Sequence, residues 1–196
     1  MATSYELAVE SAPETIPGGT ALLLLHPSIG ETDRIDTQFL KTDTDRMLVI
    51  STRTTAREVA QKLDHYEVDA SRATILDTLS VERGYTRRQS DNVRYVSRPE
   101  NLDGVVEEAE RFLTETDGKR RVSVDSITEM IYYADREATL SAVQRLLALL
   151  DEHDAVGLFH LASGVHDDDT VEQFRELFDG VVELDADGAV TTSMAE

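Results

Sequence analysis

Two kinds of apolar pattern alternate along the chain: strand-length runs, and stretches in which apolar side chains recur every three or four positions. Ala21 to Leu25 and Ala155 to Leu161 are continuous runs, as expected of parallel strands covered on both faces. Met47 to Ile50, Thr74 to Leu76, Val93 to Val96 and Arg121 to Asp125 predict shorter strands, the last ending in an acid. Between them, Ile35, Phe39 and Leu40 predict a helix over 33–40. Ala56, Val59, Ala60, Leu63 and Tyr66 form the stripe of a second helix, opened by Thr55-Ala-Arg-Glu58, which has the form of a capping box. Leu102, Val105, Val106, Ala109, Phe112 and Leu113 mark a third over 101–116, stopped by Asp117-Gly118. Further helices are predicted over 127–133, 136–152 and 170–178.

The ends are less regular. Tyr5 to Val9 predicts an edge strand, after which Pro13, Pro17, Gly18 and Gly19 are expected to break regular structure. Val181 to Leu184 and Ala189 to Thr191 predict a hairpin across Asp185-Ala-Asp-Gly188, with a frayed tail after Thr192, and 80–92 reads as a polar loop. The alternation of strand and helix predicts an α/β fold of three layers: a mostly parallel central sheet, helices on both faces and a C-terminal β-hairpin. With 196 residues, 40% of them hydrophobic, a single domain over 1–196 is expected, its core within about 16–192.

Charge narrows the function classes. Asp and Glu number 39 against 19 Lys and Arg, a net charge of -20, so binding to nucleic acid through a basic face is not expected. Only Lys41, Lys62 and Lys119 stand against sixteen arginines, and the acids are spread along the whole chain. That profile is similar to the surface of a protein from a salt-in halophile, where a screening length of ~3 Å at molar salt removes the self-repulsion. No cysteine is present, which excludes disulfides and thiolate chemistry. No apolar run approaches the ~20 residues of a membrane span, so no membrane contact and a cytoplasmic location are expected.

In such a sheet ligands sit at the carboxyl ends of the strands, here the turns after Leu25, Ile50, Val124 and Leu161. The frame of Ile16-Pro-Gly-Gly-Thr20 before an apolar strand, Gln38-Phe39-Leu40 in the next helix, Leu48-Val-Ile-Ser-Thr52, Val122-Ser-Val-Asp125-Ser126-Ile-Thr128 and Phe159-His-Leu161 resembles the KaiC-like branch of the RecA superfamily. The resemblance covers residues 16–190 and is greatest to small haloarchaeal KaiC-like or HTR-like proteins. It implies a nucleotide cleft formed by His26, Ser28, Gly30, Glu31, Thr32, Asp33, Arg53 and Asp125, Asp125 matching the magnesium-coordinating aspartate of the family.

The cleft departs from the family's pattern. A phosphate loop needs glycine-rich backbone around the phosphate oxygens, a lysine for their charge and a Ser or Thr hydroxyl on magnesium. Here Glu31 or Thr32 stands in the lysine position and no lysine precedes Lys41. One carboxylate beside a phosphate charge costs ~4 kcal/mol at 4 Å and an effective dielectric of 20. The acidic pair expected after the second strand is replaced by Ser51-Thr52-Arg53-Thr54-Thr55, so the general base is missing as well. A degenerate Walker A of this kind implies a pseudo-ATPase with no cofactor. The alternative is a nucleotide sensor or weak ATPase that keeps ATP and magnesium through Asp125, with Glu31, Asp33 and His160.

Other groups carry weaker signals. His160, His166 and Asp167 have the residue types of a metal site, and His26 is placed to face the same cleft; otherwise His160 packs in the sheet and Asp167 to Asp169 cap the next helix. Ser126 and Ser163 lack the glycine elbow of a nucleophile and read as capping or loop serines. Tyr132 and Tyr133 either form an exposed patch or pack under a helix. Arg83, Arg87 and Arg88 form a basic island suited to an acidic partner or to solvent. The resulting expectation is a regulatory or assembly module that acts through protein partners, as a homodimer or with another chain.

Overall fold

The computed structural model describes residues 1–27, 31–85 and 91–196. Ten strands and six α-helices follow the expected alternation: β1 (Ser4–Glu6), β2 (Thr15–Pro17), β3 (Ala21–His26), α1 (Asp33–Lys41), β4 (Arg46–Ser51), α2 (Ala56–His65), β5 (Ala73–Asp77), β6 (Val93–Tyr95), α3 (Leu102–Glu115), β7 (Arg120–Asp125), α4 (Ile127–Tyr133), α5 (Arg136–Glu152), β8 (Val156–Ala162), α6 (Asp168–Arg175), β9 (Gly180–Leu184) and β10 (Val190–Met194). Eight strands form one sheet in the order β10-β9-β3-β8-β7-β4-β5-β6. Only β10 runs antiparallel to its neighbour; every other pairing is parallel.

The sheet separates two cores. On one face Leu23, Leu25, Leu48, Ile50, Val122, Val124, Phe159 and Leu161 pack against the apolar stripes of α3, α4, α5 and α6. On the other, Leu22, Leu24, Met47, Val49, Ile75 and Leu158 meet Ile35, Phe39 and Leu40 of α1 and Ala56, Val59 and Leu63 of α2. Strands β3 and β8 are buried almost end to end, which is why their sequence shows no alternation. These features are those of the expected three-layer α/β fold with its C-terminal hairpin.

The N-terminal segment departs from the expectation. Residues 15–17 form a strand, not a break, and pair antiparallel with β1 as a separate two-stranded ribbon. Pro17 is tolerated there because it closes an edge strand. Gly18 and Gly19 then let this ribbon lie against the turn between α5 and β8. Their amides donate to Thr3 O and Ala155 O, Gly19 has φ +92°, and a Cβ on Gly18 would fall 2.0 Å from the Asp154 carboxylate. The tail expected to fray after Thr192 is instead strand as far as Met194, in register with β9.

Helix α2 has the predicted capping box, with Thr55 and Glu58 bonded reciprocally. A carboxylate from the sheet reinforces it. Asp77, buried at the end of β5, accepts from Ala56 N at 2.7 Å, from Leu79 N and Ser80 N, and from Ser80 Oγ at 2.6 Å. Asp77→Asn removes the charge and puts an NH2, which cannot accept, in place of an oxygen that takes two of those four bonds; it is expected to cost about 2–3 kcal/mol, measured as a lower urea midpoint. An unchanged midpoint would show that the charge contributes nothing here.

Candidate functional site

The face of the sheet under α1 and α2 is not wholly apolar. Side chains alternate along strands, so Arg121, Ser123 and Asp125 of β7 point to this face, together with His160 of β8, Ser51 of β4 and Asp77 of β5. Above them lies α1, whose buried face contains Asp36 among Ile35, Phe39 and Leu40. Asp36 is fully buried and takes three donors: Ser123 Oγ at 2.5 Å, His160 Nε2 at 2.8 Å and Lys62 Nζ of α2 at 3.2 Å. The Lys62 ammonium also lies 3.8 Å from Asp33.

A second carboxylate completes the cluster. Asp125, 5% exposed, is held by both arms of one guanidinium, Arg53 Nε at 3.2 Å and Arg53 Nη2 at 3.0 Å. Such fork-to-fork pairing fixes direction as well as charge. The Asp125–Ser126 peptide bond is cis, and Thr52 Oγ1 holds the residue after it, accepting from Ser126 N and donating to Ser126 O. The cluster sets the carboxylates of Asp33, Asp36 and Asp125 against the cations of Arg53 and Lys62 and the imidazole of His160.

The ionisation states follow from this packing. Burial alone would raise the Asp36 carboxyl, but the charges of Lys62 and His160 and the bonds from His160 and Ser123 hold it far below the usual carboxylate range. Burial would lower His160; Asp125 and Asp36 outweigh it and raise the imidazole above its ordinary 6.5. Lys62 is raised in the same way, burial being overcome by Asp36, Asp125 and Asp33. For Asp125 burial is likewise overcome, by His160 and Arg53, and the carboxyl is lowered. His26 goes the other way, lowered chiefly by burial. Its ring stands edge-on to His160 with centroids 6.2 Å apart, and its Nδ1 bonds Pro27 O at 2.8 Å.

The residues expected to form a nucleotide cleft are only partly brought together. Arg53 and Asp125 meet, but as partners of each other. Asp33 turns to Lys62, and His26 sits beside His160. Thr32 is buried at the start of α1 and makes no capping bond through its side chain. Glu31 lies with Arg34 along a cavity of about 290 Å³ under the β9–β10 turn. Ser28 and Gly30 lie outside the described residues, as do Arg87 and Arg88 of the basic island.

The metal-type residues do not converge, and no group of three or more potential ligands is found among the described residues. His160 bonds Asp36, His166 Nε2 bonds Thr128 Oγ1 at 3.1 Å, and Asp167 caps α6 by accepting from Thr170 N at 2.8 Å. Ser126 stands before α4 but makes no capping bond; its hydroxyl donates to Glu129. Ser163 Oγ donates to His26 O.

Four participants were not flagged by sequence patterns: Asp36, Lys62, Ser123 and Arg121. A signal existed for three of them. Arg121-Val-Ser-Val-Asp125 alternates where a strand buried on both faces should be uniformly apolar, and Asp36 lies on the same helical face as Phe39 and Leu40. Nothing in the sequence marks Lys62, which is separated from Asp36 by 26 residues.

A family model matches residues 3–194, nearly the whole chain. The chain belongs to the family of unknown function DUF7090. No curated protein matches this DUF7090 member. Among solved structures it is similar to a KaiC-like protein from the hyperthermophilic archaeon Pyrococcus horikoshii OT3, with TM-score 0.66 and 16% identity over 100% of this chain and 90% of that one. It is also similar to an uncharacterized protein from Pyrococcus horikoshii solved in complex with an unknown peptide, with TM-score 0.64 and 16% identity over 90% and 83% of the two chains. The DUF7090 member therefore has a RecA/KaiC-like fold. No helix among its described residues is long and apolar enough to cross a membrane.

Proposed function

We propose that this protein is a non-catalytic RecA/KaiC-like module, a pseudo-ATPase that regulates or assembles through protein contacts in a salt-rich cytoplasm. The observation that carries this reading is the Arg53–Asp125 pair. A carboxylate that is to hold a magnesium ion must offer its oxygens, and both oxygens of Asp125 are engaged by the half-exposed guanidinium of Arg53. Releasing them would leave Asp125, 5% exposed, with only the neighbouring Lys62 and His160 to answer its charge. The one lysine near the site, Lys62, is already committed to Asp36 and Asp33. The solved relative in complex with an unknown peptide supports the idea that this fold can receive a polypeptide. The chain's charge of -20 supports the salt-rich setting.

Thermal unfolding in ~3 M KCl, with magnesium and ATP, ADP or GTP in turn, tests the reading, since a ligand at 100 times its Kd adds ~2.7 kcal/mol. No shift is expected with any nucleotide. A shift that disappears in Asp125→Ala would overturn the proposal and make the protein a nucleotide sensor or weak ATPase.

A further inference from the structure

Two features distant in the sequence meet on one face of the molecule. Arg83, in the segment after β5, lies beside Tyr133 of α4 and Tyr85. Tyr133 in turn packs edge-on against Tyr132, ring centroids 5.2 Å apart. Tyr132 is 81% exposed and Tyr85 52%, among the largest exposures of any large hydrophobic residue described. Tyrosines held by neighbours yet open to solvent present rigid contact area at small entropic cost, and with arginine they are the residues enriched at binding hot spots.

Beside this tyrosine cluster a cavity of about 610 Å³ opens, lined by Tyr85, Tyr95, Arg57 of α2, Thr55, Ser80 and Asp77, whose carboxylate is already taken by four donors. It lies at the carboxyl ends of β5 and β6, and none of the described residues that line it belongs to the Asp36–Asp125 cluster. The size suits a large side chain together with adjoining main chain. The α2 amides are not what it offers, since Asp77 and Thr55 already take them.

Charge selects the occupant. On a chain with 39 acids, most described arginines elsewhere pair with the protein's own carboxylates, as Arg94 does with Glu108 and Glu115, while Arg46, Arg120 and Arg121 give their donors to backbone carbonyls. Arg57 and Arg83 form no ion pair with a carboxylate among the described residues, and both stand at this cavity or beside it. A second copy is a poor complement, because an isologous contact through this face would set the arginines of the two copies against each other. We infer that this face binds an acidic polypeptide segment, with one aromatic side chain of the segment seated between Tyr85 and Tyr95 and its carboxylates on Arg57 and Arg83. This names a partner class for the protein-contact reading above, but its test is independent of the nucleotide experiment.

The probe is a set of fluorescein-labelled twelve-residue peptides followed by anisotropy with the intact chain in ~1 M KCl, where long-range attraction is screened and contacts decide. One peptide carries a single tryptophan flanked by aspartates, a second has serine in place of the tryptophan, and a third has lysines in place of the aspartates. The first is expected to bind at least tenfold more tightly than the other two. Tyr85→Ala and the double change Arg57→Ala with Arg83→Ala should each weaken it at least tenfold, with melting curves confirming that the variants fold. Arg145→Ala, on α5 and paired with Asp103, should bind as the parent does. Equal binding of the acidic and lysine peptides, no binding of any, or insensitivity to the variants overturns the inference. So does a dimer in sedimentation that the double variant abolishes, which would make a second copy the occupant. A nucleotide-induced melting shift with the peptide result intact would sink the pseudo-ATPase reading alone.

Discussion

Asp36→Ala is expected to lower stability by about 3–5 kcal/mol, the usual cost of removing one partner from a buried ionic cluster. For a chain of this size that corresponds to a fall of roughly 10 °C in Tm. The reason is asymmetry: Asp36 is the acceptor shared by Ser123, His160 and Lys62, so its loss leaves a buried hydroxyl and an imidazole without it and leaves the ammonium only Asp33, 3.8 Å away. Asp36→Asn keeps an acceptor and should fall between the two. The pH dependence has a definite sign. His160 is raised above 6.5, so its contribution is complete below that pH and is lost as pH rises through its folded value. Asp36 is depressed below 3.8, so its contribution is present above that pH and is lost as pH falls through its folded value. Urea unfolding should therefore show stability declining from about pH 6.5 upward in the parent, and a flatter profile in Asp36→Ala and in His160→Gln. Equal slopes in parent and variants would refute the assignment of a charged imidazole to His160.

Arg121→Met is expected to raise stability, by about 1–3 kcal/mol, although it removes a buried charge. Arg121 is fully buried, sandwiched between the rings of Tyr5 and Phe39 at 5.3 and 5.0 Å, and donates through Nη2 to Glu6 O. Its Nε and Nη1 are buried without a partner among the described residues. Burial lowers its pKa to about 10, a direct sign that the charged form is poorly compensated. Methionine would keep the contacts with both rings and remove the two unanswered donors, while Glu6, at the surface, can give its carbonyl to water. Arg121→Ala separates the terms: it removes the same donors but leaves a cavity, and should cost about 3 kcal/mol. Guanidinium titrations at one pH would decide, and a methionine variant less stable than the parent would mean that the guanidinium is better satisfied than its bonds indicate.

Much of the fold was legible because its elements are locally consistent. The capping box at Thr55, the stripe from Leu102 to Leu113 and the uninterrupted runs of β3 and β8 each state their element without reference to anything distant. The ribbon at Thr15–Pro17 was not legible, since a proline and two glycines signal a break and the strand exists only because β1 pairs with it. The site divides in the same way. Arg53 and Asp125 were named as members of one cleft, but that they would neutralise each other is a fact of three dimensions, 72 residues apart in sequence. Asp36 and Lys62 belong to different helices, 26 residues apart, so no short window of sequence contains their pairing. For the same reason Arg83 and Tyr133 could be suspected separately and joined only by the structure.

The sheet's two borders bear on how this protein can multiply its contacts. One border strand, β6, has three residues, too few to template another chain's backbone. The other, β10, is guarded: Ser11 Oγ donates to Val190 O and Thr192 Oγ1 donates to Glu10 O, so the segment before β2 lies along it. Growth by adding strand to strand, the route to fibrils and to swapped sheets, is thereby obstructed at both ends. Any higher-order array of this chain would have to be built from side-chain surfaces, and so would remain open to tuning by single residues.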